Sequence, residues 1–297
     1  MIASWFVSDL VLERGSDARA KHIIQVIGPS SETKGKGFVE KYYPNSAPKV
    51  YGSYEAVYAD PDVDCVYTAT LHAFHHKNML DTIAAGKNIL CEKPVSINAR
   101  EAEDMVKAAR EKGFFLMEVL VDFGLEVETA SLPPDSCLKN LALGAGALLD
   151  IGIYSRTWSD ILLNPSATDT PVISANTIPA PDAPIDLSDV IVMSYPRQRA
   201  QAILTCTLKK GSVVVYGPAA SSPSGFVVTT KGPGKVWKCE YERAGGGFYY
   251  EADEVALDLA EGRKENGVMR LEVSLRMMRL MDEVRRQGGV VYPQGKA

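Results

Sequence analysis

The residues best placed to do chemistry are Glu92, Lys93 and Pro94. They follow a short apolar run, Lys87-Asn88-Ile89-Leu90-Cys91, that reads as a buried parallel strand. Open α/β sheets bind ligands outside the carboxyl ends of such strands. A lysine there is costly to bury without a partner. Lys93 is therefore either a site residue or one held in a salt bridge to Glu92 or another carboxylate. Asp150 and Tyr154 are four residues apart and share a face if their segment is helical. His72, His75 and His76 could bring two imidazoles to one helical face, but no nearby cysteine or glutamate completes a set, so no metal site is expected.

The elements around these residues alternate. Ile2, Phe6, Leu10 and Val11 recur at helical spacing and predict an opening helix that ends near Gly15. Residues 23–27 read as a buried strand ended by Gly28-Pro29, and 31–43 as a lysine-rich helix. A short strand at 50–51, a short helix from Ser53, a buried strand at 64–69 and a helix at 74–85 stopped by Gly86 lead to the strand before Lys93. Asn98, with Glu101 three residues on, opens a helix that runs to Lys112 and stops at Gly113. A last strand covers 114–119. This rhythm predicts a doubly wound parallel sheet of α/β class over residues 1–120.

Residues 121–297 read differently. A helical segment at 148–163 is followed by a loop at 165–184 rich in Pro, Ala, Thr and Asp. Consecutive strands follow at 190–194, 200–208, 212–216, 226–230 and 236–241, with turn signals at Lys210-Gly211 and Gly232-Pro233-Gly234. Helices at 250–261 and 271–287 close the chain. This predicts an α+β domain on an open, mostly antiparallel sheet.

Composition excludes several classes. The chain has 297 residues, 46% hydrophobic and 23% charged, which is ordinary globular composition. With 32 basic and 37 acidic side chains, its net charge of −5 and lack of basic clusters argue against nucleic acid or an anionic membrane as partner. No apolar run approaches the roughly 18–20 residues of a membrane span. The first residues lack a basic leader region, so no secretory signal is expected. Five cysteines without a CxxC pattern read as reduced core thiols of a cytoplasmic protein.

Several segments, in order, carry a resemblance. They are Thr68-Ala69-Thr70-Leu71-His72, Ala84-Ala85-Gly86-Lys87 running on to Glu92-Lys93-Pro94, Gly146-Ala147-Leu148-Leu149-Asp150-Ile151-Gly152-Ile153-Tyr154, and Met281 to Gly289. Together they resemble the Gfo/Idh/MocA oxidoreductases over nearly the whole chain. The Asp-Ile-Gly-Ile-Tyr segment looks like the subgroup of dimeric dihydrodiol dehydrogenases and NADP-dependent D-xylose 1-dehydrogenases, fungal members in particular. The resemblance implies a Rossmann-like domain over 1–120, and a substrate and dimerisation domain over 121–297. It implies hydride transfer from a sugar or diol CH–OH group to NADP, with NAD possible, in a homodimer paired through the second-domain sheet.

By this resemblance Lys93 and Tyr154 are the proton-handling pair, with Asp150 holding the lysine and orienting substrate. A tyrosine is a poor base at its free pKa near 10, and a lysine ammonium within about 4–6 Å favours the phenolate. Thr70, Leu71 and His72 would border the nicotinamide with Glu92 and Lys93. Relatives usually carry proline where Leu71 stands. After the strand at 23–27, the hydroxyls of Ser30 and Ser31 with Lys34 suit a ribose 2′-phosphate better than an acidic residue would, although a plain turn is the alternative. The first strand of this fold and its glycine-rich turn do not precede Met1, and the family's arginine-bearing loop and helix after Glu118 have no counterpart. The chain thus reads as a shortened form of a real dehydrogenase. The alternative is a catalytically impaired or non-catalytic protein on the same fold.

Overall fold

The computed structural model describes residues 2–15, 18–28, 31–119, 131–166, 168–180, 182–197, 200–203, 206–208, 211–216, 225–230, 236–240 and 245–295. The first part alternates as its sequence pattern demands: α1 (Ile2–Leu10), β1 (Val26–Ile27), α2 (Glu32–Tyr42), β2 (Lys49–Val50), α3 (Tyr54–Ala59), β3 (Cys65–Thr68), α4 (His72–Ala84), β4 (Asn88–Cys91), α5 (Ala99–Lys112) and β5 (Leu116–Glu118). Local chemistry sets the helix ends. The Ser53 hydroxyl accepts from the Ala56 amide at the start of α3, and Asn98 accepts from the Glu101 amide at 2.9 Å at the start of α5. Gly113 ends α5 with φ +72°, a conformation that favours glycine.

All strand pairs here are parallel, but the sheet is in two pieces. β3, β4 and β5 pair in that order, while β1 pairs only with β2. No strand among the described residues stands between β1 and β3. The strand predicted at 23–27 is accordingly cut to Val26–Ile27, and Ile23 is 73% exposed. With a neighbour on one side only, its first residues stay exposed or half-buried. Side chains link the pieces instead. Val26, Tyr51 and Tyr54 pack on Val57, Tyr58, Val63 and Val66. On the other flank Phe6 of α1 stacks on Tyr67 of β3 with ring centroids 3.7 Å apart.

The second part differs from its sequence reading in detail. Leu148–Gly152 forms a π-turn before α6 (Ile153–Leu163). A seven-stranded sheet follows in strict chain order, every pair antiparallel: β6 (Val172–Pro179), β7 (Asp186–Tyr195), β8 (Ala200–Ile203), β9 (Cys206–Leu208), β10 (Gly211–Tyr216), β11 (Gly225–Thr230) and β12 (Val236–Glu240). β6 occupies part of the predicted loop at 165–184. Its alternation of exposed and half-buried residues is a strand pattern that the flanking Pro and Thr disguise. The strand predicted at 200–208 is two, β8 and β9. α7 (Tyr249–Ala260) and α8 (Leu271–Gly288) complete the chain. One apolar cluster runs from Phe6, Met79, Ile89 and Leu116 to Leu149, Met278 and Tyr292. The boundary expected at 120/121, and the shortened connection after Glu118, fall outside the described residues. Of the cysteines, Cys91 is buried and Cys65 half-buried, but Cys137 and Cys239 are exposed rather than core. The Cys206 side chain is outside the described residues.

α1 is fastened to α7 by charge. Asp9 accepts from the amides of Gly246 at 3.0 Å and Phe248 at 2.9 Å. Gly245 has φ +57° and a Cβ there would lie 2.4 Å from Asp9 Oδ1, so this approach requires glycine. Beyond α1, Arg14 donates twice to the buried Asp253, at 2.7 and 3.0 Å, and His22 Nε2 lies 2.6 Å from the same carboxylate. Burial alone would raise the Asp253 pKa, but the bonds from Arg14 and His22 bring it below the ordinary carboxylate range. A depressed carboxyl stabilises the fold above its unfolded pKa of about 3.9, and that stability is lost as pH falls through the folded value. Asp253→Ala strands the buried Arg14 guanidinium and takes away the carboxylate beside His22, and is expected to cost about 3–5 kcal/mol in urea unfolding at pH 7, with the deficit shrinking toward pH 3.

Candidate active site

The site is built where β3 and β4 end side by side. Thr68 pairs with Cys91, and the Glu92 amide donates to the Thr68 carbonyl at 3.0 Å. Lys93 follows. Its Nζ is 2.8 Å from the main-chain carbonyl of Asp150 and 3.2 Å from Asp150 Oδ1. The two side chains are 11% and 22% exposed, so the pair is largely desolvated. Lys93 thus turns to Asp150 and not to Glu92. Glu92 is buried, and its Oε1 accepts from the Tyr67 hydroxyl. Burial raises the Glu92 pKa, against the pull of Tyr67 and Lys93.

Asp150 owes its place to the π-turn. Asp186 reaches across from β7 and accepts from the Leu148 amide at 2.5 Å, satisfying one free donor at that helix start. Gly146 has φ +134°, and a Cβ there would fall 2.2 Å from Asp186 Oδ1, so glycine lets the two segments meet. Such wide turns are frequent at functional sites. Tyr154 stands in the first turn of α6, and its side chain is outside the described residues.

The predicted nicotinamide loop lies at the same end. Thr70 Oγ1 accepts from Asn78 Nδ2 at 3.1 Å. Leu71 has φ −70°, the value a proline would impose, so the leucine has not altered the loop's course. His72 Nδ1 is 3.3 Å from the Gly144 carbonyl. Burial, His75 and Lys93 push the His72 pKa down to about 4, so the ring is neutral at pH 7 and donates from Nδ1. Thr70, Leu71, His72, Glu92, Lys93 and Asp150 are therefore brought together. Ser31 and Lys34 stand at the start of α2, after β1. The Ser31 hydroxyl accepts from the Lys34 amide at 3.4 Å, capping that helix. Ser30 is outside the described residues.

Sequence reasoning missed three contributors. From sequence His75 reads only as a possible metal ligand, yet its ring nitrogens face the Thr70 and Pro94 carbonyls. Asp186 carried no local signal. Glu118 did: a glutamate inside the apolar strand Phe-Phe-Leu-Met-Glu-Val is a buried charge that needs a reason. It is 1% exposed and accepts from the Val95 amide at 2.9 Å, which steadies the chain just past Lys93.

The donor set fits the ring-and-ribose end of a dinucleotide. An ammonium and main-chain groups cluster past two parallel strand ends, and the Thr68 hydroxyl at the end of β3 is buried with no hydrogen-bond partner among the described residues. No group of three or more His, Cys, Asp or Glu that could hold a metal occurs among those residues, and no described helix is long and apolar enough to cross a membrane.

Residues 7–119 match the model of an oxidoreductase family with an NAD-binding Rossmann fold, Gfo/Idh/MocA. D-xylose 1-dehydrogenase (NADP(+)) of Hypocrea jecorina is 29% identical, with 99% of this chain and 91% of that enzyme aligned. Trans-1,2-dihydrobenzene-1,2-diol dehydrogenase of Bos taurus is 30% identical over 94% of this chain and 92% of its own. Among solved structures, a levoglucosan dehydrogenase in complex with NADH and L-sorbose superposes with a TM-score of 0.76 at 14% identity, covering 99% of this chain and 96% of its own. An aldose-aldose oxidoreductase from Caulobacter crescentus gives 0.71 at 21% identity, covering 89% of each chain. These two likenesses establish the fold.

Burial pushes the Glu118 carboxyl up to about 7. A raised acid binds more protons folded than unfolded, so it lowers stability as pH rises from about 4.3 to about 7. Glu118→Gln is expected to gain stability relative to the parent between pH 5 and 8, by an amount on the order of 2–3 kcal/mol in urea titrations. Equal pH slopes for the two proteins would contradict a neutral buried Glu118.

Proposed function

The chain belongs to the Gfo/Idh/MocA oxidoreductase family, and on that premise we propose that it is an NADP-dependent dehydrogenase of sugar or diol CH–OH groups. D-xylose going to its lactone and a trans-dihydrodiol going to a catechol are the two candidate reactions. The observation that carries this reading is the desolvated Lys93–Asp150 pair at the strand ends.

A bound nicotinamide supplies the hydride acceptor. The chain's own part is to hold and deprotonate. Thr70, Leu71, His72 and Glu92 border the ring on this reading, and Lys93 lies between ring and substrate. Tyr154 takes the substrate hydroxyl proton as hydride leaves the same carbon, and the Lys93 ammonium stabilises the phenolate that makes this possible. Asp150 holds the ammonium by carbonyl and carboxylate, which fixes the direction of Lys93. His72, neutral, can accept a hydrogen bond at Nε2 without adding charge. Ser30, Ser31 and Lys34 receive the ribose 2′-phosphate, which selects NADP, with NAD a poorer cofactor. The division at 120/121 separates cofactor and substrate domains. The protein works in the cytosol, where exposed thiols such as Cys137 and Cys239 stay reduced. It pairs as a homodimer through the seven-stranded sheet.

One observation favours a second reading. The parallel sheet is split, with no strand among the described residues between β1 and β3. A protein of this fold that binds cofactor weakly and does not turn over would follow from that. Titration with NADPH and sedimentation separate the two: saturable binding in a dimer supports the dehydrogenase, and a dimer without affinity supports the second reading.

Lys93→Met and Tyr154→Phe are each expected to lower kcat with D-xylose or a dihydrodiol by about 10²–10⁴-fold, with NADPH still bound. Loss of less than tenfold in both would remove the pair from the mechanism. Ser31→Ala is expected to weaken NADPH binding while leaving NADH unchanged, and to cost about 1 kcal/mol as a lost helix cap. Parallel loss for both cofactors would assign Ser31 to capping alone.

A further inference from the structure

Two loops frame Lys93, and one buried ring stands between them. The first, Thr70-Leu71, leaves β3 and enters α4. The second, Lys93-Pro94-Val95, leaves β4. His75 lies in the first turn of α4 and is fully buried, at 0% exposure. Its Nε2 is 3.0 Å from the Thr70 carbonyl oxygen, and its Nδ1 is 3.0 Å from the Pro94 carbonyl oxygen. Both are ordinary N–H···O=C distances. Asn78, further along the same helix, holds Thr70 a second time through its hydroxyl. Lys93 directly precedes Pro94, so whatever fixes the Pro94 carbonyl also fixes the root of the lysine side chain.

A core position of this size could be filled by an apolar residue at no polar cost. Here both ring nitrogens are aimed at carbonyls instead, and the two carbonyls belong to different loops. Burial lowers the His75 pKa, so the ring is neutral, donates its one N–H to one of the two carbonyls and seats its other nitrogen against the second, with Cys91 Sγ 3.6 Å from Nδ1.

We infer that His75 is a positioning residue that couples the Thr70-Leu71 loop to the Lys93-Pro94 loop, its buried ring bonded to a carbonyl of one and seated against a carbonyl of the other. It sets where Lys93 stands relative to a ring bound against Thr70 and Leu71. The catalytic consequence rests on the dehydrogenase reading, whereas the coupling itself does not.

The two halves of the coupling can be cut separately in the full chain. An asparagine amide reaches about as far as Nδ1, and a glutamine amide about as far as Nε2. His75→Asn keeps the Pro94 side: kcat is expected within threefold of the parent, with NADPH affinity at least tenfold weaker. His75→Gln keeps the Thr70 side: NADPH affinity stays within threefold, and kcat falls at least tenfold. His75→Leu loses both. An activity-independent readout is the ¹³C resonance of reductively methylated Lys93, identified by its absence in Lys93→Met. It is expected to shift in the Gln and Leu variants and to stay in the Asn variant. Asn78→Ala removes the second hold on Thr70 and leaves His75 in place, so it is expected to weaken NADPH binding less than the Asn variant does and to leave the Lys93 resonance unmoved.

Asn and Gln variants that behave alike overturn the proposal. So does an unmoved Lys93 resonance in the Leu variant, or an Asn78→Ala protein in which that resonance shifts. If the parent neither binds NADPH nor turns over, the dehydrogenase reading fails, and the Lys93 resonance still decides the coupling.

Discussion

A lysine ammonium that is almost nine-tenths buried must be answered by charge and hydrogen bonds, or it does not stay charged. Meeting that demand for Lys93 organises the centre of the molecule. The answer comes from the far half of the chain, since Asp150 is 57 residues away. It uses a carbonyl as well as a carboxylate, so the backbone itself takes part. The backbone at Asp150 must therefore be held, and Asp186 and the close approach at Gly146 hold it. On the other side Glu118 and His75 hold the chain on which Lys93 stands. The pair is one of several polar links between the two halves, beside the Asp9 and Arg14 anchors to α7 and the Arg285 bond to the Ile97 carbonyl, and an apolar cluster runs across both.

The split sheet shows a different solution to an edge. Two parallel edges without a strand between them leave backbone groups unpaired, a liability that proteins usually cover. Among the described residues no hydrogen-bond ladder closes the gap. Phe6 stacked on Tyr67 covers the β3 flank, and Val26 packed near Val66 covers the β1 flank. Helix α1 then depends on polar anchors to α7 through Asp9, Arg14 and His22. Such anchors are directional and sensitive to pH, whereas strand pairing is neither to the same degree.

How much of this could be read in advance depended on range. Elements set by neighbouring residues were legible: Asn98 with Glu101 and Gly113 fixed both ends of α5, and the apolar run before Glu92 gave β4. The closeness of Asp150 to Lys93 followed from the resemblance, not from spacing. What escaped was set at long range. β6 looked like a loop because its strand alternation sits between Pro- and Thr-rich flanks, and it pairs only once β7 is beside it. Asp186 gains its role from Gly146, 40 residues away in sequence. The strand at 23–27 had the right composition and was shortened for want of a neighbour, which no local pattern encodes.

The carboxylates around Lys93 do not all pair with it. Glu92, Glu118 and Asp150 all lie near it, and three ionised carboxylates with one ammonium would leave a net charge of −2 in a desolvated space. Burial raises both glutamates, Glu118 to about 7, and each is tied to a neighbour other than the lysine. Glu92 is bonded by Tyr67, and Glu118 by the Val95 amide. Asp150, more exposed than either, remains to balance the ammonium directly. Asp150 stands in the π-turn that leads into α6, the helix that carries Tyr154, so the carboxylate that meets Lys93 and the tyrosine proposed to take the substrate proton belong to one continuous segment.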